Sequence, residues 1–287
     1  MSKSLIRPFA HSPTRPFAHS FTFQGEKMLD EVKVALITGA SGGIGEAFAR
    51  QLAALGKELV VVARRADRLQ ALAAELTSRH RVQVHVIVAD LAQPGAATTL
   101  FAETERRGLA VDLLINNAGF GKGGEFTAIP FEDQAEMVRL NVNTLMELTR
   151  LYLPAMRQRK RGGVINLAST AAFQPVPNMA VYGATKAFVL SFSEAVAHEV
   201  RADGVRVMAL CPGFTATGFQ AVSGVGEAWR DRMPGPDEVV AAALRAFEKG
   251  RRTAVPGFGN RFLAFGVRLV PRRLAASIAA GKVAGRW

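Results

Sequence analysis

Two residues with complementary chemistry, Tyr182 and Lys186, lie four positions apart in the segment VYGATK at residues 181–186. On an α-helix, residues at this spacing lie on one face, one turn apart. An ammonium group about 4 Å from a phenol, at an effective dielectric constant of about 20, stabilises the phenolate by roughly 4 kcal/mol, or about three pKa units. The pair is therefore a candidate for proton transfer near neutral pH, although a half-buried ring beside a solvated amine has the same spacing.

Two polar residues upstream of this pair occupy positions that favour function. Ser169 follows a short apolar run at residues 163–168, so it is predicted at the carboxyl end of a strand, where ligands bind in open α/β sheets. Asn141 falls inside the apolar helical pattern of residues 131–156. Asparagine has a poor helix propensity, so we expect its side chain to make a tertiary hydrogen bond. A turn at Ser169 and simple polar packing at Asn141 are also compatible with these patterns.

A glycine-rich turn supplies a candidate anion site. The run VKVALIT at residues 32–38 predicts a buried strand, and the apolar spacing over residues 46–55 predicts a helix. At such a junction, backbone N–H groups and the helix dipole attract a phosphate, although a plain tight turn is the alternative. The spacing is G-x-x-x-G-x-G, not the G-x-G-x-x-G of the long-form dinucleotide fold. The residues predicted to contact the phosphates are Gly39, Ser41, Gly43, Ile44 and Gly45.

The predicted second strand, residues 58–63, ends without the acidic residue that commonly binds the ribose 2′-hydroxyl of NAD. Arg64 and Arg65 follow instead, and guanidinium groups suit a 2′-phosphate. Because an acid is absent and a base is present, this strand end favours NADP(H) as the cofactor. A solvated turn before the next helix is the alternative.

Two later loops place small or polar residues after predicted strands. Asp90 follows a strand at residues 82–88, where it is predicted to accept from an adenine amino group or to cap the next helix. A second loop follows the strand at residues 111–115 and lies on the ligand side of the sheet, although its asparagines also suit a turn. The residues predicted to contact the cofactor in these loops are Asp90, Leu91, Asn117, Ala118 and Gly119.

Six predicted strands alternate with helices over residues 32–210, and a seventh follows at residues 252–255. This alternation predicts the α/β class, with a doubly wound, Rossmann-like parallel sheet of about seven strands and helices on both faces. We expect one such domain over residues 28–258. The single cysteine, Cys211, excludes an internal disulfide and a cysteine-based zinc site, and no metal site is predicted.

Taken together, these residues resemble the short-chain dehydrogenase/reductase family in its common single-domain soluble form. The resemblance covers residues 32–255 and includes the gap of thirteen residues from Ser169 to Tyr182. All of the motifs occur in the family's order, which leaves little room for chance. The motif residues are Thr38, Gly39, Gly43, Ile44, Gly45, Asp90, Asn116, Asn117, Ala118, Gly119, Asn141, Ser169, Tyr182, Lys186, Pro212 and Gly213.

The resemblance implies hydride transfer between NADP(H) and a ketone, aldehyde or alcohol. It implies that Tyr182 is the general acid or base, and that Lys186 lowers its pKa and holds the nicotinamide ribose. It further implies that Ser169 polarises the substrate carbonyl and that Asn141 holds a water molecule leading to a proton relay. The segment implied to contact the nicotinamide end comprises Pro212, Gly213, Thr215 and Thr217, with the choice between the two threonines left open.

Residues 214–235 show no regular period but carry several large apolar side chains, Trp229 among them. In the resembled family this region is a mobile lid over the substrate. We expect an apolar substrate, such as an acyl-chain, terpenoid, steroid-like or aromatic carbonyl compound, although some of these side chains would also suit an ordinary core. The residues predicted to line the substrate cavity, together with Ser169, are Phe120, Phe173, Met179, Phe214 and Phe219.

The formal net charge of +12 resides at the two ends of the chain. Of the 36 basic residues, three fall in residues 1–25 and nine in residues 249–287, which leaves 24 between them against all 24 acidic residues. Because the middle of the chain is neutral, nucleic acid is not an expected partner. Residues 1–27 contain the repeat RPFAHS and are predicted to be a disordered leader, with a natural start at Met28 as an alternative.

Residues 259–287 predict a basic, amphipathic, helical C-terminal extension. Phe262, Phe265 and Leu269 fall on one helical stripe, with Arg261 and Arg268 on another. This pattern suits a membrane surface, but it also suits packing beside the active site or against a second subunit. Protein packing is favoured, because both predicted helices are short and rich in alanine.

The expected protein is cytoplasmic, with peripheral membrane contact through the extension as an option. The resemblance implies a homodimer or homotetramer formed through the long helices. Two alternative functions stay open, namely an NADPH-binding regulatory or scaffold protein without turnover, and a membrane-surface enzyme that acts on lipid or acyl-chain carbonyls. The presence of all four implied catalytic residues argues against the scaffold.

Overall fold

A computed structural model of the chain describes residues 28–226 and 232–283. The predicted leader, residues 1–27, and Trp229 of the predicted lid lie outside these described residues. Across the described ranges, no helix combines the length and apolar character that crossing a membrane requires.

Seven parallel strands form one sheet in the order β3-β2-β1-β4-β5-β6-β7, which confirms the predicted fold class. The strands are short apolar runs, and all five residues of the first are buried, as expected in a sheet that is covered on both faces. They are β1 (Val34–Thr38), β2 (Glu58–Ala63), β3 (Val84–Val88), β4 (Val111–Asn116), β5 (Gly163–Leu167), β6 (Arg206–Leu210) and β7 (Thr253–Ala254).

Helices pack on the two faces of this sheet. They are α1 (Met28–Glu31), α2 (Gly43–Ala54), α3 (Ala66–His80), α4 (Ala96–Arg106), α5 (Phe131–Val138), α6 (Leu145–Arg159), α7 (Ala180–Glu199), α8 (Phe219–Ser223), α9 (Pro236–Glu248), α10 (Phe258–Gly266) and α11 (Arg272–Val283). The alternation of β1 divides the core, because Ala35 and Ile37 pack with α2, α3 and α9, whereas Val34 and Leu36 pack with α4, α6 and α7.

The strand order reverses at β1, which lies between β2 and β4. A crevice forms outside the carboxyl ends of strands at such a switch point. Thr38 fixes this crevice, because its buried Oγ1 donates to the Ile115 carbonyl at 3.2 Å and accepts from the N–H groups of Asn117 and Ala118 at 2.9 Å. The loops after β1 and β4 are therefore held at a fixed separation.

The predicted continuous helix over residues 131–156 is wrong in one respect. A π-helical segment (Arg139–Thr144) separates α5 from α6. Short π segments of this kind are frequent at functional sites. Thr144 on this segment donates to the Leu91 carbonyl at 2.7 Å, so the wide turn contacts the loop after β3.

Within its described residues, 214–226 and 232–235, the predicted lid contains a short helix, α8, where the sequence shows no regular period. Two backbone hydrogen bonds tie its described parts to the rest of the fold and to each other: Gly123 N–H donates to the Ser223 carbonyl at 2.8 Å, and Ala216 N–H donates to the Pro234 carbonyl at 3.0 Å. The first of these bonds attaches α8 to the loop after β4.

Candidate active site

The glycine-rich turn leads directly into α2, and no side chain caps this helix at Gly42. Gly39 and Gly43 have φ angles of 67° and 57°, a left-handed conformation that favours glycine. A Cβ atom on Gly45 would collide with the Gly39 carbonyl oxygen. Because the first turn of α2 has no side-chain cap and the loop is tight, its N–H groups fit an anion such as a pyrophosphate.

Arg65, and not Arg64, contacts this turn. The Arg65 guanidinium donates to Ser41 Oγ at 3.0 and 3.2 Å and to the Ser41 carbonyl at 2.9 Å. Arg64 is 68% exposed and lies 3.9 Å from the Glu136 carboxylate. The strand end therefore presents one guanidinium fixed on the glycine loop and a second that reaches into solvent, a pair that fits a 2′-phosphate.

Asp90 is held by its own loop. Its carboxylate accepts from Ala92 N–H at 3.1 Å and from Gln93 Nε2 at 3.2 Å. Burial opposes ionisation, but the hydrogen bonds from Gln93 and Ala92 and the charge of Arg64 outweigh it, so the pKa of Asp90 is below its ordinary value. The predicted cap on the next helix is wrong, because α4 begins after Gly95 without a side-chain cap, and Asp90 instead holds the loop that contains Leu91. The predicted contact with an adenine amino group stays a prediction.

The side chain of Asn117 joins two strand ends. Its Nδ2 donates to the carbonyls of Thr38 and Gly39 at 2.9 and 3.2 Å. The next residues turn toward the catalytic positions, since a Cβ atom on Gly119 would lie 2.7 Å from Asn141 Oδ1 and 3.5 Å from Lys186 Nζ. Residues 117–119 therefore connect the glycine loop with the proposed acid–base pair.

Asn141 is fully buried on the π-helical segment, and its side chain holds the same loop. Its Oδ1 accepts from Phe120 N–H at 3.1 Å, and its Nδ2 donates to the Phe120 carbonyl at 2.9 Å and to Thr185 Oγ1 at 3.1 Å. The predicted tertiary hydrogen bonds are present. These hydrogen bonds occupy both hydrogens of the Asn141 amide. The water-binding role that the resemblance implies for this residue therefore stays a prediction. Sequence reasoning missed Thr185, which carries no motif signal of its own.

Tyr182, Lys186 and Ser169 come together where β5 meets α7. The Ser169 hydroxyl lies near enough to the Tyr182 hydroxyl to lower its pKa, and Lys186 Nζ lies 5.7 Å from the centroid of the Tyr182 ring. Burial raises the pKa of Tyr182 to about 12, and Ser169 opposes this only in part. The spacing of Tyr182 and Lys186 predicts a lowered pKa for the phenol, which is wrong for this state of the protein, because burial of the phenol dominates its pKa.

Lys186 is itself buried and donates to the Leu167 carbonyl at 2.7 Å. Burial lowers the pKa of its ammonium group to about 8. Burial also raises the pKa of Cys211 to about 12, so this thiol is neutral. Sequence reasoning does not place Cys211 beside the pair, because it lies on β6's loop, more than twenty residues away in the chain.

The structure distinguishes the two threonines after β6. Thr215 turns its hydroxyl to the Gly213 carbonyl at 3.1 Å. Thr217 faces the glycine loop, since a Cβ atom on Gly43 would lie 3.1 Å from Thr217 Cβ. Asn260 of α10 packs against Gly213, 2.6 Å from the position of an added Cβ atom, and no sequence motif marks it. Thr217 is therefore the better candidate for contact with a cofactor phosphate or amide.

An apolar cluster surrounds the Tyr182 ring. Its members are Phe120, Met137, Ala171, Val176, Met179, Val181, Tyr182, Phe219, Val225 and Val283. The rings of Tyr182 and Phe219 lie 5.4 Å apart. Three of the predicted substrate residues meet here, but Phe173 packs in a neighbouring cluster with β6 and α7, and Phe214 lies at the surface beside Gly226. The structure does not bring the latter two to the Tyr182 ring.

The family model described as short chain dehydrogenase matches residues 33–227. The chain belongs to this family. Among its relatives, a very-long-chain 3-oxoacyl-CoA reductase from Anas platyrhynchos is 32% identical over 195 residues, which are 66% of this chain and 62% of the relative. A 7beta-hydroxysteroid dehydrogenase from Collinsella aerofaciens is 38% identical over 182 residues, which are 63% of this chain and 68% of the relative. The chain therefore spans less than two thirds of the length of the first reductase.

A solved member of the short-chain dehydrogenase family has the same fold. The enzyme from Sphingobium yanoikuyae, in complex with NADPH, superposes with a TM-score of 0.76 at 34% identity, over 83% of this chain and 94% of that one. The match confirms that the glycine loop, the Ser169 region and α7 of this chain belong to a dehydrogenase fold, as the sequence predicts.

Proposed function

We propose that this short-chain dehydrogenase is an NADP(H)-dependent oxidoreductase that interconverts a hydrophobic ketone or aldehyde and its alcohol. The observation that carries the proposal is the convergence of three groups: the Tyr182 ring lies in an apolar cluster, its hydroxyl is near Ser169, and the buried ammonium of Lys186 lies 5.7 Å from the centre of the ring. A proton donor, a carbonyl-binding hydroxyl and a cation thus share one water-poor site.

The chain offers a binding group for each part of the cofactor. The uncapped first turn of α2 would hold the pyrophosphate, and Ser41 with Arg64 and Arg65 would hold the 2′-phosphate. Thr217 and the loop at Gly213 would contact the nicotinamide end. When bound, NADPH supplies the hydride for the substrate carbonyl carbon.

The residues at the reacting end act on the carbonyl oxygen. Ser169 donates a hydrogen bond to that oxygen and stabilises the negative charge that develops there. Tyr182, whose pKa of about 12 keeps it neutral, donates its proton to the same oxygen. The positive charge of Lys186 stabilises the phenolate that this transfer leaves, and its hydrogen bond to the Leu167 carbonyl fixes its position.

A hydrophobic substrate follows from the walls of the site. Phe120, Met179 and Phe219 supply apolar surface beside the Tyr182 ring, and burial of such surface favours acyl-chain, terpenoid, steroid-like or aromatic carbonyls. The names of the reductase and hydroxysteroid dehydrogenase relatives agree with this class. The test is NADPH oxidation with aliphatic, aromatic, steroidal and acyl-thioester carbonyls. Highest kcat/KM for small, highly charged carbonyls would overturn the assignment.

We also propose a cytoplasmic homodimer or homotetramer. Four large apolar side chains are exposed on α5, α6 and α7, which are the helices that the sequence implicates in assembly. They are Phe131, Val138, Met146 and Phe188. Exposed apolar surface on adjacent helices supports a contact between copies, which light scattering of the purified chain would measure.

A further inference from the structure

The two tail helices, α10 and α11, reverse the usual distribution of side chains. The residues that they bury are small, namely Ala264, Ala275 and Ala279. Most of the large apolar side chains of these helices and of the turn between them point outward, with Phe258 80% exposed, Phe262 68% and Leu269, on the turn, 72%. The other exposed apolar residues of this surface, which we call the tail face, are Leu263, Phe265, Leu274 and Ile278.

This arrangement is unfavourable in water, because an exposed phenylalanine ring does not contribute the free energy that its burial would supply. Phe258, Phe262 and Phe265 follow one another at spacings of four and three residues, so they form one stripe on α10. Contiguous exposed apolar surface of this size marks a site of contact with another surface. Packing of α10 against the domain does not explain the stripe, since Ala264 supplies that contact.

The tail face is bordered by positive charge alone. Arg261, Arg268, Arg272 and Arg273 are exposed, and residues 249–287 contain no acidic residue. Among the residues that the structure describes, none of these four arginines forms an ion pair. The partner that would complement this border is therefore negatively charged.

We propose that the tail face binds the surface of a membrane that contains anionic lipid. The phenylalanine stripe would enter the boundary between headgroups and acyl chains, and the arginines would contact lipid phosphates. A second copy of the chain fits less well. An isologous contact between two tail faces would bring eight arginines together with no carboxylate in either extension to pair with them.

The tail helices also lie beside the proposed catalytic site. Asn260 of α10 packs against Gly213, and Val283 at the end of α11 joins the apolar cluster around Tyr182. Membrane binding would thus hold the substrate cluster close to the lipid surface, where hydrophobic carbonyls concentrate. This consequence rests on the proposed function, whereas the binding itself does not.

The test is co-sedimentation of the full chain with phosphatidylcholine vesicles, with and without phosphatidylglycerol. We expect pelleting with the anionic vesicles and its loss as the salt concentration rises. Phe262→Ser should lower the partition coefficient roughly tenfold, whereas Phe126→Ser, at a 58% exposed position in the loop before α5, should leave it unchanged. Arg268→Glu should lower it about tenfold, with Arg79→Glu on α3 as the matched control.

Two results would overturn the proposal. The first is equal pelleting of the Phe262→Ser and wild-type chains with anionic vesicles. The second is a wild-type chain that does not bind vesicles, together with a loss of self-association in Phe262→Ser, measured by light scattering. Turnover of a soluble carbonyl without vesicles should be the same for wild type and Phe262→Ser. A wild-type chain that pellets but reduces no carbonyl would contradict the proposed function alone.

Discussion

The Tyr182 hydroxyl and the Lys186 ammonium are both enclosed by protein, and each loses hydration that would favour its charged form. The phenol therefore holds its proton more tightly, with a pKa of about 12, and the ammonium holds its proton less tightly, with a pKa of about 8. The spacing of the two residues in the sequence indicates that an ammonium group lies near the phenol. It does not show how much hydration free energy the two groups lose when they are buried. The pair is consequently in the protonation state that suits carbonyl reduction.

The lysine should make stability depend on pH. Its pKa is about 8 in the folded chain against 10.5 for the free side chain, so the unfolded chain binds more protons between these values. The contribution of Lys186 to the free energy of unfolding of the cofactor-free protein should therefore rise with pH in this window, by up to about 3 kcal/mol. Urea unfolding of wild type and Lys186→Met at pH values from 8 to 10 measures the difference.

Lys186→Met should lack this rise, because it removes the titrating group. The raised pKa values of Cys211 and Tyr182 act in the opposite direction above about pH 9 and pH 10, but both groups are present in the two proteins, so the difference between the profiles reports on Lys186. Parallel pH profiles for the two proteins would contradict the assignment of a destabilised ammonium to Lys186.

Arg65 should determine the choice between the two nicotinamide cofactors. Its guanidinium lies on Ser41 of the glycine loop, whereas Arg64 is mostly exposed. Arg65→Ala should raise the KM for NADPH about tenfold, the value of one charge-assisted hydrogen bond, and leave the KM for NADH nearly unchanged. Steady-state kinetics with both cofactors measures this, with Arg68→Ala on α3 as the control. An unaltered NADPH/NADH preference would refute the 2′-phosphate site.

At the scale of elements, the strands and most helices could be predicted because their residues carry a clear period. β2 begins and ends at the predicted residues, and β4 differs by one residue at its end. The π-helical segment could not be predicted, since a single wide turn leaves no repeating pattern. Only the unfavourable propensity of Asn141 marked it, and that residue does make the tertiary hydrogen bonds expected of it.

The short helix α8 positions a wall of the proposed substrate site. Phe219, at its first residue, lies against the Tyr182 ring, whereas Val222 on the same helix is 51% exposed. Phe219→Ala should raise the KM for a hydrophobic ketone roughly tenfold through lost apolar contact and leave NADPH affinity unchanged. Val222→Ala is the matched control and should have little effect on either. Equal effects of the two variants on KM would show that the site lies elsewhere.

At the scale of the whole molecule, the parallel sheet gathers the candidate site from distant parts of the chain. The carboxyl ends of β1, β2, β4, β5 and β6 all open on the same edge of the sheet. The loops that follow these strands, from positions as far apart as 39 and 217, therefore border one crevice. This convergence follows from topology and could be predicted from the alternation of strands and helices.

The assignment of apolar side chains to walls could not be predicted in the same way. Phe173 and Phe214 are as hydrophobic as Phe120 and Phe219, yet they pack elsewhere. The contact of the C-terminal extension with the Tyr182 cluster, through Val283, also depends on packing between elements that are distant in sequence. Hydrophobicity shows that a side chain prefers burial, but only the assembled fold shows which cluster receives it.

The central claim is that Tyr182 transfers the proton in an NADPH-dependent carbonyl reduction. Its most direct test compares Tyr182→Phe with wild type in two measurements, NADPH affinity by titration and kcat on a hydrophobic ketone. Tyr152→Phe, which loses a buried hydroxyl bonded to Thr104 far from the site, is the control. We predict that Tyr182→Phe lowers kcat by roughly 10²–10⁴-fold with NADPH affinity nearly unchanged, and that the control retains turnover. Equal kcat values for Tyr182→Phe and wild type would contradict the claim.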